Sequence, residues 1–206
     1  MISVRKSPLR CSSMDPDPVK QFRRWLHEAE QAGLPQPNAM TLATANRQKV
    51  PSARIVLLRG ADERGFVFFT NYESRKAQEI AENPVVALVF SWLLLSRQVR
   101  VEGSVETLDS PASDRYFASR PRGHQLAAHA SAQSQVISHR AVLEQQFDHV
   151  INRFEGKDVP RPMNWGGYRV VPEVLEFWQE GEHRLHDRLR YRRNSVDSWV
   201  LERLSP

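Results

Sequence analysis

Near the start of the chain, Val19, Phe22, Trp25, Leu26 and Ala29 recur at helical spacing and predict one amphipathic helix. Asp17-Pro18 supplies a cap followed by proline at the first helical position, and Gly33 supplies a stop. Beyond residue 39 the pattern shortens. Residues 40–45, 53–58, 65–70, 85–92 and 98–108 are β-branched or aromatic runs separated by polar turns, which predicts strands. In the last of these, Val99, Val101 and Val105 alternate, and Gly103 marks a bulge or bend. Residues 110–154 return to helical spacing, with Leu143, Phe147, Val150 and Phe154 on one face. Strands resume over 167–171, 174–178, from Arg184 onward, and over 198–204. Consecutive strands with short connections imply an antiparallel sheet curled into a small barrel. The class is mainly β with inserted and flanking helices (α+β).

The 206 residues suffice for one domain, and no linker divides them. Residues 1–16 read as a flexible polar arm and 17–206 as a single domain. Composition is ordinary for a globular protein, with 40% hydrophobic and 26% charged residues. No run approaches the roughly 20 apolar residues of a membrane span. The N-terminus has no apolar signal core, so no membrane association and a cytoplasmic location are the expectations. Cys11 is the single cysteine, which excludes an intramolecular disulfide and a cysteine-rich metal site. His124, His129, His139 and His149 show no metal-ligand spacing with carboxylates, so no metal is expected. A net charge of +5 permits nucleic acid as a partner. The arginine run Arg188, Arg190, Arg192, Arg193 reads more simply as a solvated strand, and no nucleic acid is expected.

Two placements of charge raise the question of a ligand. In NYESRKAQEIAEN, Ser74 is a plausible helix cap, yet Arg75 and Lys76 occupy the first turn while Glu79 and Glu82 come later. A helix N-terminus carries partial positive charge, so this order is the unfavoured one. An anion held by the free N–H groups, the Ser74 hydroxyl and the two cations would account for it. Exposed charges also tolerate the small cost, so the pattern alone leaves both readings open. In LEFWQEGEHRLHDR, an extended chain would put Arg184, His186 and Arg188 on one face, with Trp178 upstream able to flank a planar ring. A solvated edge strand explains that run equally well. Arg54 and Arg59 bracket one strand on opposite faces, and Tyr116 and Arg120 are four apart on a predicted helix.

Taken together, RIVLLR, FFTNYESRKAQEI, RQVRVEG, YFASRPRGHQ, SAQS, WGGYRV and LEFWQEGEHRLHDR, in this order, resemble the pyridoxine/pyridoxamine 5'-phosphate oxidase family over residues 17–206. The resemblance implies an FMN-binding split β-barrel and a homodimer with FMN at the interface. It implies oxidation of pyridoxamine or pyridoxine 5'-phosphate to pyridoxal 5'-phosphate, with dioxygen as acceptor and hydrogen peroxide as product. The matching FMN positions are Arg54, Ile55, Val56, Leu57, Leu58, Phe69, Thr70, Arg75, Lys76, Gln98, Gln133, Ser134, Trp178 and Arg188, and the helix capped by Ser74 falls on the FMN-phosphate site. The matching substrate positions are Arg59, Tyr116, Arg120 and His124 for the phosphate, and Arg184 and His186 for the pyridine ring over the flavin, where the catalytic roles would lie. A related flavin oxidase acting on another ring, as in phenazine biosynthesis, and a non-catalytic flavin-binding protein are the alternatives.

Overall fold

The structure, a computed structural model, describes residues 7–196 and 198–206. Its first helix, α1 (Pro18–Gln31), begins where expected. The Asp17 carboxylate accepts from the Val19 and Lys20 amides, and Pro18 needs no donor there. Strands β1 (Ala39–Ala45), β2 (Pro51–Leu57), β3 (Gly60–Asp62) and β4 (Gly65–Asn71) follow. Helix α2 (Arg75–Glu82) leads into β5 (Val85–Trp92) and β6 (Arg97–Thr107). Next come α3 (Ser110–Ala118), α4 (Arg122–Ala130) and α5 (Arg140–Arg153), and then β7 (Trp165–Gln179), β8 (Asp187–Arg193) and β9 (Trp199–Leu204). All pairings are antiparallel, in the order β2-β1-β5-β6-β7-β4-β3, with β8 on β7 and β9 on β8. The sheet curls into a half-barrel.

The long β7 organises the sheet. Its first half pairs with β4, its second half with β8, and β6 runs along both. The exchange of partners falls at Pro172 and Glu173, where the β6–β7 register shifts between Glu102 and Gly103. Pro172 has no N–H to give a ladder, so it suits the point at which β7 changes neighbours. A Cβ on Gly103 would lie 2.0 Å from the Val171 carbonyl oxygen, which is why glycine stands at this close approach. The two strands expected over 167–178 are thus one bulged strand.

Helix α1 closes the concave side of the sheet. Phe22 is fully buried against Phe66 and Phe90, with ring centroids 4.9 and 4.7 Å away. Trp25 meets Phe177 edge-on at 5.1 Å. Burying each such ring contributes on the order of 2–3 kcal/mol. Of the expected arm, residues 1–6 lie outside the described residues, and 7–16 pack on the fold. Leu9 and Met14 join the core, the Leu9 amide donates to Asp187 at 3.0 Å, and the Tyr191 hydroxyl donates to the Asp15 carbonyl at 2.6 Å.

The segment after Gly181 departs from the expected extended run. Glu182–Arg184 form a short 3-10 turn, closed by the Leu185 amide on the Glu182 carbonyl at 2.9 Å. His183 (φ 55°) and Arg184 (φ 64°) take the left-handed conformation, and β8 begins only at Asp187. Gly181 permits this, because a Cβ there would lie 2.0 Å from the Leu185 carbonyl oxygen. Arg184, His186 and Arg188 therefore do not share one strand face.

Candidate functional site

A cavity of about 420 Å³ opens between the end of β2, the end of β4, the start of α2 and the helices α3 and α4. Among its lining residues are Ile55, Val56, Leu57, Arg59, Phe69, Thr70, Lys76, Tyr116, Arg120 and Gln133, all of them expected site residues. Among the described residues, three cations line it and no carboxylate does.

Lys76 is buried in the first turn of α2. Its ammonium meets neutral oxygens: Thr70 Oγ1 at 3.2 Å, Ser74 Oγ at 3.2 Å and Gln133 Oε1 at 3.3 Å. Burial, and then the Arg54 guanidinium, lower its pKa from 10.5 to about 8. The Ser74 side chain does not cap the helix but donates to the Asn71 carbonyl at 2.7 Å. The Arg75 amide donates to Ser134 Oγ at 3.2 Å, and Ser134 holds φ 75°. The Thr70 and Ser74 hydroxyls and a buried ammonium thus converge at one helix N-terminus, the arrangement that suits a phosphate.

The later acidic residue of α2 has its own partners. Glu79 is buried and accepts from Thr44, Ser52, Arg54 and Arg75. Burial would raise its carboxyl, but the hydrogen bonds from Ser52, Thr44, Arg75 and Arg54 outweigh it and hold the pKa at about 2. Arg54 therefore meets Glu79 rather than the cavity. The lysine is the cation of this cluster whose hydrogen-bond partners among the described residues are all neutral.

Across the cavity, Phe69, Tyr116 and Trp165 lie nearly parallel. Phe69 and Tyr116 are 3.9 Å apart at 18°, and Phe69 and Trp165 are 5.6 Å apart at 12°. The Arg120 guanidinium sits 4.5 Å from the Trp165 ring centre, and Arg59 lies 5.8 Å from that of Tyr116. Arg120 follows the end of α3 rather than continuing it, yet still faces the same cavity as Tyr116. Its Nη1 is buried without a hydrogen-bond partner among the described residues. Burial lowers its pKa, offset in part by Tyr116 and reinforced by Arg59. A buried guanidinium nitrogen with no acceptor costs free energy unless an anion completes it.

The remaining expected residues lie outside this lining. Gln98, Trp178 and Arg188 are cross-strand neighbours on β6, β7 and β8. The His186 ring is 4.8 Å from that of Trp178, and its Nδ1 accepts from the Gly181 amide at 3.2 Å. Arg188 makes a two-point ion pair with buried Glu176, at 2.7 and 3.1 Å. Arg184 is exposed on the turn before β8, Leu58 is in the core, and His124 is exposed on the first turn of α4. Trp165 was missed in the sequence, although WGGYRV was noted as a motif. Its role arises from rings brought together by folding. The two glycines that follow it are the legible signal. A Cβ on Gly167 would meet Phe69 Cε1 at 2.8 Å, and one on Gly166 would meet the Tyr72 hydroxyl at 2.1 Å.

Residues 26–154 match the family described as pyridoxamine 5'-phosphate oxidase, and residues 165–206 match the pyridoxine 5'-phosphate oxidase C-terminal dimerisation region. The pyridoxine/pyridoxamine 5'-phosphate oxidase of Burkholderia ambifaria is 53% identical over 207 residues, covering 100% of this chain and 96% of that protein. The enzyme of the same name from Trichormus variabilis is 53% identical over 193 residues, covering 94% and 90%. Among solved structures, PhzG from Burkholderia lata, in complex with tetrahydrophenazine-1-carboxylic acid, superposes with a TM-score of 0.89 at 30% identity, over 95% of each chain. An FMN-binding protein from Nostoc punctiforme shares the fold, with a TM-score of 0.73 at 17% identity over 94% of this chain and 100% of that one. With both of its segments matched and its relatives covered almost end to end, the chain belongs to the pyridoxine/pyridoxamine 5'-phosphate oxidase family.

Proposed function

We propose that the protein binds FMN and oxidises pyridoxamine 5'-phosphate or pyridoxine 5'-phosphate to pyridoxal 5'-phosphate. The observation that carries this reading is a cavity lined by buried Lys76, half-buried Arg120 and the parallel rings of Phe69, Tyr116 and Trp165, with no carboxylate in its lining among the described residues. Two phosphate-bearing rings call for such a site. Lys76, Thr70, Ser74, Arg75, Gln133 and Ser134 would hold the FMN phosphate, and Ile55, Val56 and Leu57 would line the flavin. Arg59, Tyr116 and Arg120 would hold the substrate phosphate.

When bound, FMN supplies the two-electron acceptor for the hydride leaving the substrate's C4' carbon, with dioxygen taking the electrons on to hydrogen peroxide, and with the amine substrate water hydrolyses the imine product to aldehyde and ammonia. The chain's own contribution is placement and charge. Arg59 and Arg120 would fix the phosphate end of the substrate, and Ile55, Val56 and Leu57 of β2 would give the ring an apolar wall. The exposed Arg184 and the half-buried His186 stand away from this cavity within one chain, as do Gln98, Trp178 and Arg188. A homodimer that brings a second copy's C-terminal strands to the cavity would unite the two sets, and the match of residues 165–206 to a dimerisation region supports it. The exposed apolar side chains Ile55, Leu93, Leu94 and Leu185 fit such an interface.

A second reading, oxidation of a different ring, is favoured by the likeness to PhzG. One experiment separates the two. The purified protein should carry a flavin spectrum and release hydrogen peroxide on adding pyridoxamine 5'-phosphate, with little response to unphosphorylated pyridoxamine. A flavin-loaded protein that turns over neither phosphorylated vitamer overturns the substrate assignment.

A further inference from the structure

Trp165 lines the cavity beside Arg120. It is buried, lies nearly parallel to Phe69 and Tyr116, and carries the Arg120 guanidinium on its face at 4.5 Å. Its own position is fixed from behind. Arg161 donates to the Trp165 carbonyl at 2.6 Å and is itself paired with Asp114 of α3 at 2.5 Å. The stretch that carries the ring is thereby tied to the helix that precedes Arg120.

The chemistry of this support differs from that of an ion pair. A carboxylate beside Arg120 would neutralise it and occupy its N–H groups. An aromatic face stabilises the cation through the ring quadrupole, while the N–H donors stay in the guanidinium plane and remain free. Arg120 shows that outcome, with Nη1 buried and unpartnered. Arg54, by contrast, is consumed by Glu79, and Arg188 by Glu176.

We infer that Trp165 is a positioning residue that holds Arg120 in a desolvated but uncommitted state, ready to bind the phosphate group of a ligand in this cavity. The inference rests on the role given to Arg120 above and extends it to a residue that touches the guanidinium rather than the ligand.

The probe is inorganic phosphate, titrated against the FMN-loaded protein so that the flavin-phosphate site is filled. Trp165→Leu should weaken phosphate binding about ten-fold, the loss expected for a desolvated cation–π contact. Trp165→Phe, which keeps an aromatic face, should recover most of it. In the Arg120→Ala background, Trp165→Leu should add no further loss. For the vitamer, KM should rise by a similar factor while kcat stays within about two-fold. Uniform replacement of tryptophan by a fluorinated analogue, which weakens the ring quadrupole at nearly constant shape, should weaken phosphate binding only when Arg120 is present. That measurement stands even if Trp165→Leu fails to fold. Unchanged phosphate affinity in Trp165→Leu, equal losses in the leucine and phenylalanine variants, additivity with Arg120→Ala, or no phosphate binding by the parent protein would each overturn the inference. Because the probe is inorganic phosphate, failure of the parent protein to oxidise pyridoxamine 5'-phosphate would count against the proposed reaction alone.

Discussion

Replacing Lys76 with methionine should make the FMN-free protein more stable while loosening its hold on FMN. Burial and the nearby Arg54 guanidinium lower the ammonium from 10.5 to about 8. Below pH 8 the folded FMN-free chain carries a charge that the unfolded chain solvates freely. That penalty is fully present below pH 8 and is relieved as pH rises from 8 to 10.5, where the unfolded chain still binds the proton and the folded chain does not. At about 1.4 kcal/mol for each tenfold change, it amounts to about 3 kcal/mol. Methionine removes the charge at similar length and gives up contacts with Thr70, Ser74 and Gln133. Those neutral-acceptor bonds are worth roughly 0.5–1 kcal/mol each, so the net gain is about 1 kcal/mol. The FMN-free variant should melt about 2–4 °C higher at pH 7. Loss of a charge-assisted contact to the FMN phosphate should meanwhile raise Kd by about 30- to 150-fold, or about 2–3 kcal/mol. Calorimetric melts of FMN-free protein and fluorescence titration with FMN check the two arms. Unchanged FMN affinity, or a lower Tm in the FMN-free variant, would refute the reasoning.

Three further outcomes are expected. FMN affinity of the parent protein should fall as pH rises above about 8, because the bound phosphate requires a protonated Lys76 whose proton the FMN-free protein then lacks; a flat titration to pH 9.5 contradicts this. Glu79→Gln should cost about 3 kcal/mol at pH 7, since a carboxyl held at about 2 rather than 4.5 contributes stability above pH 4.5 that is lost as pH falls toward 2. Melting curves of the two proteins should accordingly converge as pH falls to about 2. Gly103→Ala should destabilise by about 1–3 kcal/mol, because its Cβ meets backbone at Val171 and cannot be relieved by a side-chain rotation; denaturant midpoints measure this.

What could be read along the chain was local. The α1 cap, the β5 and β6 strands and the irregularity at Gly103 depend on neighbours in sequence, and they appear where the pattern placed them. Pairs distant in sequence were not legible. Glu79 looked like a misplaced charge on α2, yet it is buried beneath Arg54 of β2, 25 residues away. Arg184 looked extended, but the Gly181 turn folds it into a left-handed conformation. Leu9 and Met14 looked like part of a polar arm because the groups that tie this segment down, Asp187 and Tyr191, lie far along the sequence on β8. Of the residues lining the cavity, Lys76, Arg120 and Tyr116 were singled out by motif and spacing. Trp165 was not, since stacking on Phe69 requires β4 and β7 to pair.

The most direct measurement is single-turnover absorbance of the FMN-loaded protein mixed anaerobically with pyridoxamine 5'-phosphate, followed by admission of oxygen. The expected result is bleaching of the flavin band, then its return on oxygenation with one hydrogen peroxide and one pyridoxal 5'-phosphate formed per flavin. A flavin band that stays unchanged with both pyridoxamine and pyridoxine 5'-phosphate would contradict the assignment.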